Sequence, residues 1–204
     1  MGGWVTVGRH VGRRLILRDT VDNAEIRALA AADGWTYEGD IARDPDNQAF
    51  YEAKWSLPGG LSVHYVADEV VDARYMVVAG DDGARVQEVT TRLAAALDFW
   101  SLDDLLVNFD TSVYPVEQTR SVLILGAGSP ERAADPVIMR ILEATHHTDA
   151  RVRRAAVCAM VYSEWPEYRE SLAEMIARET DPQVIHQAEL AVQLLEEQQE
   201  PDQR

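Results

Sequence analysis

The sequence predicts an α+β protein: a small antiparallel sheet with helices on one face, followed by a short array of helical hairpins. Three observations predict this. Two alternating strand-like runs flank Pro58, Gly59 and Gly60. An apolar stripe at helical spacing runs through Val86, Val89, Leu93, Leu97 and Trp100. Residues 148–160 repeat in 180–192, with Thr148, Asp149, Val152, Ala156 and Ala159 matching Thr180, Asp181, Val184, Ala188 and Ala191.

Taken in chain order, residues 14–18 read as a short strand. Asp22 and Asn23 supply N-cap chemistry for a helix over residues 24–32, and Gly34 stops it by taking positive φ. Residues 38–48 are polar and read as a loop, with turn chemistry at Asp44, Pro45 and Asp46. Residues 49–57 and 61–67 form a hairpin. In its second run Leu61, Val63, Tyr65 and Ala67 alternate with Ser62, His64 and Val66, so one face is the more apolar. A third strand covers residues 74–79. Asp81 and Asp82 lie at the start of the following amphipathic helix, and Asp103 and Asp104 follow Ser101 at another helix start. The predicted order over residues 1–111 is therefore β-α-β-β-β-α.

Residues 112–197 read as helical hairpins. Each Thr-Asp pair is an N-cap signal, and each Val-x-x-x-Ala-x-x-Ala gives one helix face with small residues for close packing. The preceding helices correspond as well, Ile138, Ile141 and Leu142 with Leu172, Met175 and Ile176, and Val116 to Leu125 takes the place of a third, degenerate copy. Asp149-Ala-Arg-Val-Arg-Arg-Ala-Ala156 resembles the opening of the second helix in bacterial HEAT repeats. The resemblance spans about residues 112–197. It is clear in the copy ending near Met160, partial in the last copy, where Ile185 replaces the arginine at Arg153, and poor in the first. It implies an α-solenoid architecture with binding roles and carries over no catalytic residue. The tail over residues 198–204 is polar.

At 204 residues, 47% hydrophobic and 26% charged, the chain can bury a core. No apolar run approaches the roughly 18 residues of a membrane span, and no export signal is legible at the start. Cys158, the only cysteine, allows no intramolecular disulfide and reads as a core residue; a cytoplasmic location is the expectation. A net charge of −16 repels phosphate backbones and anionic lipid, so neither nucleic acid nor membrane is an expected partner. It serves solubility, and it would steer in a protein with a basic surface.

Two motifs are set aside. Ser121 to Gly128 imitates a strand entering a Gly-rich dinucleotide loop, but Glu131 stands where the motif wants Gly or Ala, so the segment reads as a helix ending at Gly126. His146 and His147, with His186 one repeat on, lack the cysteines or carboxylates of a tetrahedral metal set, so no metal and no cofactor are expected.

The reading of function is a non-enzymatic protein-binding module, an adaptor or immunity-type protein docking a protein partner. The candidate contact residues are His64, Asp68, Arg151, Arg154, Glu164 and Trp165. The alternative is a small enzyme or ligand-binding protein with its site in a groove between sheet and repeats. There His64, Glu52, Tyr51 and Asp68 are the first residues to test. His64 itself is expected on a surface face. A DNA-binding reading would need a basic cradle from Arg120, Arg151, Arg153 and Arg154, close in sequence to Glu164, Glu167, Glu170 and Glu174.

Overall fold

The computed structural model describes residues 10–46 and 49–197. The polar tail anticipated over 198–204 lies outside the described residues. The chain divides into two compact units, Met1–Trp100 and Ser101–Arg204. The division falls one helix earlier than residue 111, because the helix after Ser101 packs on the helix that follows it.

The first unit is an antiparallel sheet with two helices. Its elements are β1 (His10–Val11), β2 (Leu15–Ile16), α1 (Asn23–Ala32), β3 (Thr36–Ile41), β4 (Tyr51–Leu57), β5 (Leu61–Asp68), β6 (Ala73–Gly80) and α2 (Gly83–Ala96). The strand order is β1-β6-β5-β4-β3, with β2 also pairing β6. Register follows the side-chain alternation. Trp55 pairs with Val63 and Val63 with Val78, while Ala53, Tyr65, Met76 and Leu15 form the next row across the same face. Ile26 and Ala30 of α1 and Val86, Val89 and Leu93 of α2 close the core over that face.

Capping occurs where the sequence placed it. Asp22 accepts from the N–H groups of Ala24 and Glu25 at 2.8 and 2.9 Å, and Glu25 returns the bond to the Asp22 N–H. Gly34 takes φ 68° after α1. Asp82 caps α2 through Ala84 and Arg85.

Two expectations change. Residues 38–41 of the polar stretch read as a loop belong to β3, an exposed edge strand paired to β4 with a bulge between Tyr37 and Gly39. An edge strand has only one hydrogen-bonded neighbour and needs little apolar surface, which hides it from a hydrophobicity pattern. The stripe through Leu97 and Trp100 also outruns its helix. At Leu97 the chain turns extended, and Phe99 and Trp100 run back beside β2, with the Trp100 N–H donating to the Ile16 carbonyl at 2.8 Å.

The second unit is helical: α3 (Leu102–Thr111), α4 (Pro115–Ala127), α5 (Asp135–Ala144), α6 (Ala150–Ser163), α7 (Tyr168–Arg178) and α8 (Pro182–Glu197). Successive helices pack as α3 on α4, α5 on α6 and α7 on α8, and α6 packs on both α4 and α8. Two of these helices, α6 and α8, carry an aspartate cap and a buried face of small residues. Asp149 accepts from the Arg151 N–H at 2.9 Å, and Asp181 from the Gln183 N–H at 2.8 Å. Val152, Ala156, Ala159, Val184, Ala188 and Ala191 are all buried. The Gly-rich segment from Ser121 is helix α4, buried along residues 121–127. At Gly126 the α4 backbone lies against that of α6, since a Cβ there would fall 2.4 Å from the Ala159 Cα. No helix among the described residues is long and apolar enough to cross a membrane.

Candidate functional site

Alternation puts Ser62, His64 and Val66 of β5 on the sheet face opposite the helices, and the β4–β5 register sets Lys54 across from His64 and Glu52 across from Val66. The result is a polar row. The Ser62 hydroxyl lies 2.7 Å from His64 Nε2, and His64 Nδ1 meets a Glu52 carboxylate oxygen. With Glu52 ionised, Nδ1–H donates to the carboxylate, which leaves Nε2 to accept the Ser62 proton. This is the order of groups by which an imidazole, oriented by a carboxylate, draws a proton from a hydroxyl. Ser62 and His64 are only 5% and 7% exposed, however, so the row is closed to a bulky substrate. The expected surface-face histidine is thus corrected: His64 is buried, because the sheet face that leads away from the helices is itself withdrawn from solvent along β5.

Beside this row Lys54 pairs with Glu38 of β3 at 2.9 Å. That contact and a Ser56 hydrogen bond hold the Glu38 carboxyl below its usual range. Asp68, a candidate contact residue, is buried at the end of β5. It accepts from the Val70 and Val71 N–H groups at 2.9 and 3.3 Å and from the Tyr75 hydroxyl at 3.4 Å. It fixes the β5–β6 turn, where Asp72 takes positive φ. Burial pushes the Tyr75 phenol well above its usual range.

The helical candidates separate into exposed and buried groups. Arg151 is exposed and folds back on its own cap Asp149, 2.6 Å away, which holds that carboxyl down at about 2. Arg154 is exposed and reaches Gln183 and Gln187 on α8 at 3.0 and 3.4 Å. Glu164 is exposed at the C-cap of α6, in the left-handed region at φ 58°. Trp165 does not fit a contact role. It is 3% exposed and stacks on Tyr168 with ring centroids 5.8 Å apart.

Arg153 has a structural partner far along the chain that no sequence pattern signals. Its guanidinium forks onto Glu179 at 2.7 and 2.8 Å and donates to the carbonyls of His147 and Thr148. Arg151, Arg153 and Arg154 are therefore each engaged by a different partner. His147 accepts the Asp149 N–H at 2.9 Å, in a turn role, while His146 and His186 are exposed. Among the described residues no group of three or more His, Cys, Asp or Glu is placed to hold a metal. Cys158, expected in the core, is half-buried, with the Gln187 amide nitrogen 2.5 Å from its sulfur.

Compared with known proteins, the chain matches no family model, no curated protein and no solved structure. Its class accordingly rests on architecture: an α+β chain with a six-stranded antiparallel sheet, on which Ser62 and His64 are buried beside a half-buried Glu52, followed by helices.

Proposed function

We propose that residues 101–197 form a HEAT-like docking module through which the protein binds a basic protein partner, in an adaptor or immunity-type role without catalysis. The observation that carries this is the apolar surface left open at the α3–α4 turn. Val113, Tyr114 and Val116 are 74%, 66% and 69% exposed. They are flanked by Glu117, whose carboxylate accepts from the Val113 and Tyr114 N–H groups, while Asp110 nearby is already paired with Arg140 at 2.7 Å. Exposed apolar side chains bordered by the Glu117 carboxylate fit a partner that presents apolar anchors with Arg or Lys beside them. The helical half also carries most of the acidic excess of the chain, which favours such a partner at long range. The stacking of α4, α6 and α8 supports the solenoid reading, because each small hairpin needs its neighbours to cover it.

The test is enrichment of partners from the native host, followed by titration of the purified partner. Tyr114→Glu with Val116→Glu should weaken binding by about 30-fold or more, the scale of a lost hot spot. Affinity should also fall as salt rises. A partner whose binding ignores both changes overturns the reading.

The Ser62–His64–Glu52 row favours a second reading, acyl hydrolysis on Ser62, with the proton passing to His64 Nε2. A fluorophosphonate probe and p-nitrophenyl acetate separate the two readings. The non-catalytic reading predicts no labelling and no turnover above that of Ser62→Ala. Labelling lost in Ser62→Ala and His64→Asn would establish the enzyme instead.

A further inference from the structure

We propose that the turn between α5 and α6 is a pH-sensitive latch: neutral His147 closes it and ties it through Arg153 to the next hairpin, and protonated His147 opens it. The latch rests on the direction of one hydrogen bond. The Asp149 N–H donates to His147 Nδ1 at 2.9 Å. A backbone N–H can only donate, so Nδ1 carries no proton and the imidazole is the neutral form protonated on Nε2. An imidazolium has N–H groups at both positions and cannot accept. Imidazoles ordinarily gain that charge between about pH 8 and 5.

The second copy of the repeat shows what the position requires. His147 and Glu179 stand at the same place in the matched segments, each two residues before the aspartate that precedes the next helix. Glu179 supplies its turn with a carboxylate oxygen, which accepts from the Thr180 and Asp181 N–H groups at 2.8 and 2.9 Å. Both turns are thus closed by a side-chain acceptor on the N–H of the aspartate. The Glu179 carboxyl is held at about 2, first by the Arg153 fork, so it stays charged while imidazoles titrate. Of the two acceptors, only His147 is lost in that range.

Arg153 joins the two turns. Its Nη1 donates to the His147 and Thr148 carbonyls at 2.9 and 3.0 Å, and its Nε and Nη2 hold Glu179 at 2.7 and 2.8 Å. The bond from Asp149 to His147 closes the turn that aims those two carbonyls. Charged groups reach this turn from each neighbouring helix. Arg151 and Arg153 come from α6, and Arg178 of α7 donates to Thr145 Oγ1 at 2.8 Å. Asp181, before α8, and Asp149 add to the field that Glu179 sets at Arg153. Glu143 and His146, at the end of α5, are exposed. Protonation puts a second cation on the turn that Arg153 grips, which opposes that grip. It also draws the ring toward the Asp149 carboxylate, which is held down chiefly by Arg151 but also feels His147. The imidazolium therefore exchanges the Asp149 N–H for the Asp149 side chain. The latch is independent of the docking surface at the α3–α4 turn.

NMR of the 15N-labelled full chain between about pH 8 and 5 tests this, with the His147 ring signals assigned from His147→Asn. The Asp149 amide signal should move with the same midpoint as the His147 ring. Its exchange protection, corrected for the intrinsic rate, should fall about fivefold, the factor that one net hydrogen bond supplies. The Arg153 Nε–H signal should follow with that midpoint, and the Asp181 amide should keep its protection. In His147→Asn the side-chain oxygen replaces Nδ1 as an uncharged acceptor, so the Asp149 amide should stay protected across the range. His147→Ala should show the low protection already at about pH 8, which a mere through-space effect of the ring charge would not produce. Unchanged Asp149 protection through the His147 titration, an equal loss in His147→Asn, or full protection in His147→Ala would each overturn the latch. An Arg153 Nε–H signal that ignores the titration would overturn the tie to the next hairpin.

Discussion

Gly126→Ala should lower the melting temperature of the helical half by on the order of 10 °C, followed by far-UV circular dichroism on the full chain. The added Cβ would sit 2.4 Å from the Ala159 Cα and 2.6 Å from its carbonyl oxygen. Both are backbone atoms of α6, so no side chain can swing aside, and α4 and α6 must move apart. Overpacking in a tight core costs about 1–3 kcal/mol, with the upper end expected against backbone. Alanine returns up to about 1 kcal/mol through helix propensity. The net loss of about 2 kcal/mol converts to roughly 8–16 °C for a unit of about 100 residues. Ala159→Gly in the same chain removes only the methyl group and leaves Cα and O in place, so it should not restore stability. An unchanged melting temperature in Gly126→Ala would contradict the close approach of the two helices.

Arg153→Ala should destabilise the helical half by about 3 kcal/mol, because it strands a buried carboxylate. The two side chains are 16% and 5% exposed. Glu179 would keep only the Thr180 and Asp181 N–H groups, at 2.8 and 2.9 Å. The effect also has a definite pH dependence. The Arg153 fork, and then the backbone N–H groups of Asp181 and Thr180, pull the Glu179 carboxyl from its ordinary 4.5 to about 2. A carboxylate lowered on folding contributes stability that is fully present above its unfolded value. That contribution is lost as pH falls from about 4.5 through 2. Without Arg153 the lowering is largely removed, so the melting temperatures of wild type and variant should converge as pH falls through that window. Parallel curves down to the lower limit would mean that the ion pair does not set the acid sensitivity of this unit.

Much of this was legible along the chain because its signals are local. Asp22, Asp82, Asp149 and Asp181 announce helix starts within three residues of the N–H groups they bind. Ser62 and His64 share a face by simple alternation, and Glu131 was enough to dismiss a dinucleotide loop. Other features had no local signal. β3 is polar because it is an edge. Trp165 lies in the α6–α7 connection but is buried and stacks on Tyr168. The apolar period through Leu97 and Trp100 continues past α2 because the extended segment also packs inward, where Leu97 and Phe99 join the core.

The sequence by itself determined the order of most elements, the α+β class, the caps and the residues that make each apolar face, because propensity and periodicity act over a few residues. Only the tertiary structure decided which faces meet. Glu52 reaches His64 through the register of β4 on β5, Arg153 reaches Glu179 across 26 residues, and Trp35 comes to line a pocket with Arg85 and Arg92. Periodicity fixes the side from which a side chain leaves its element. The partner it finds there depends on register and packing between segments far apart in the chain, which no local pattern encodes.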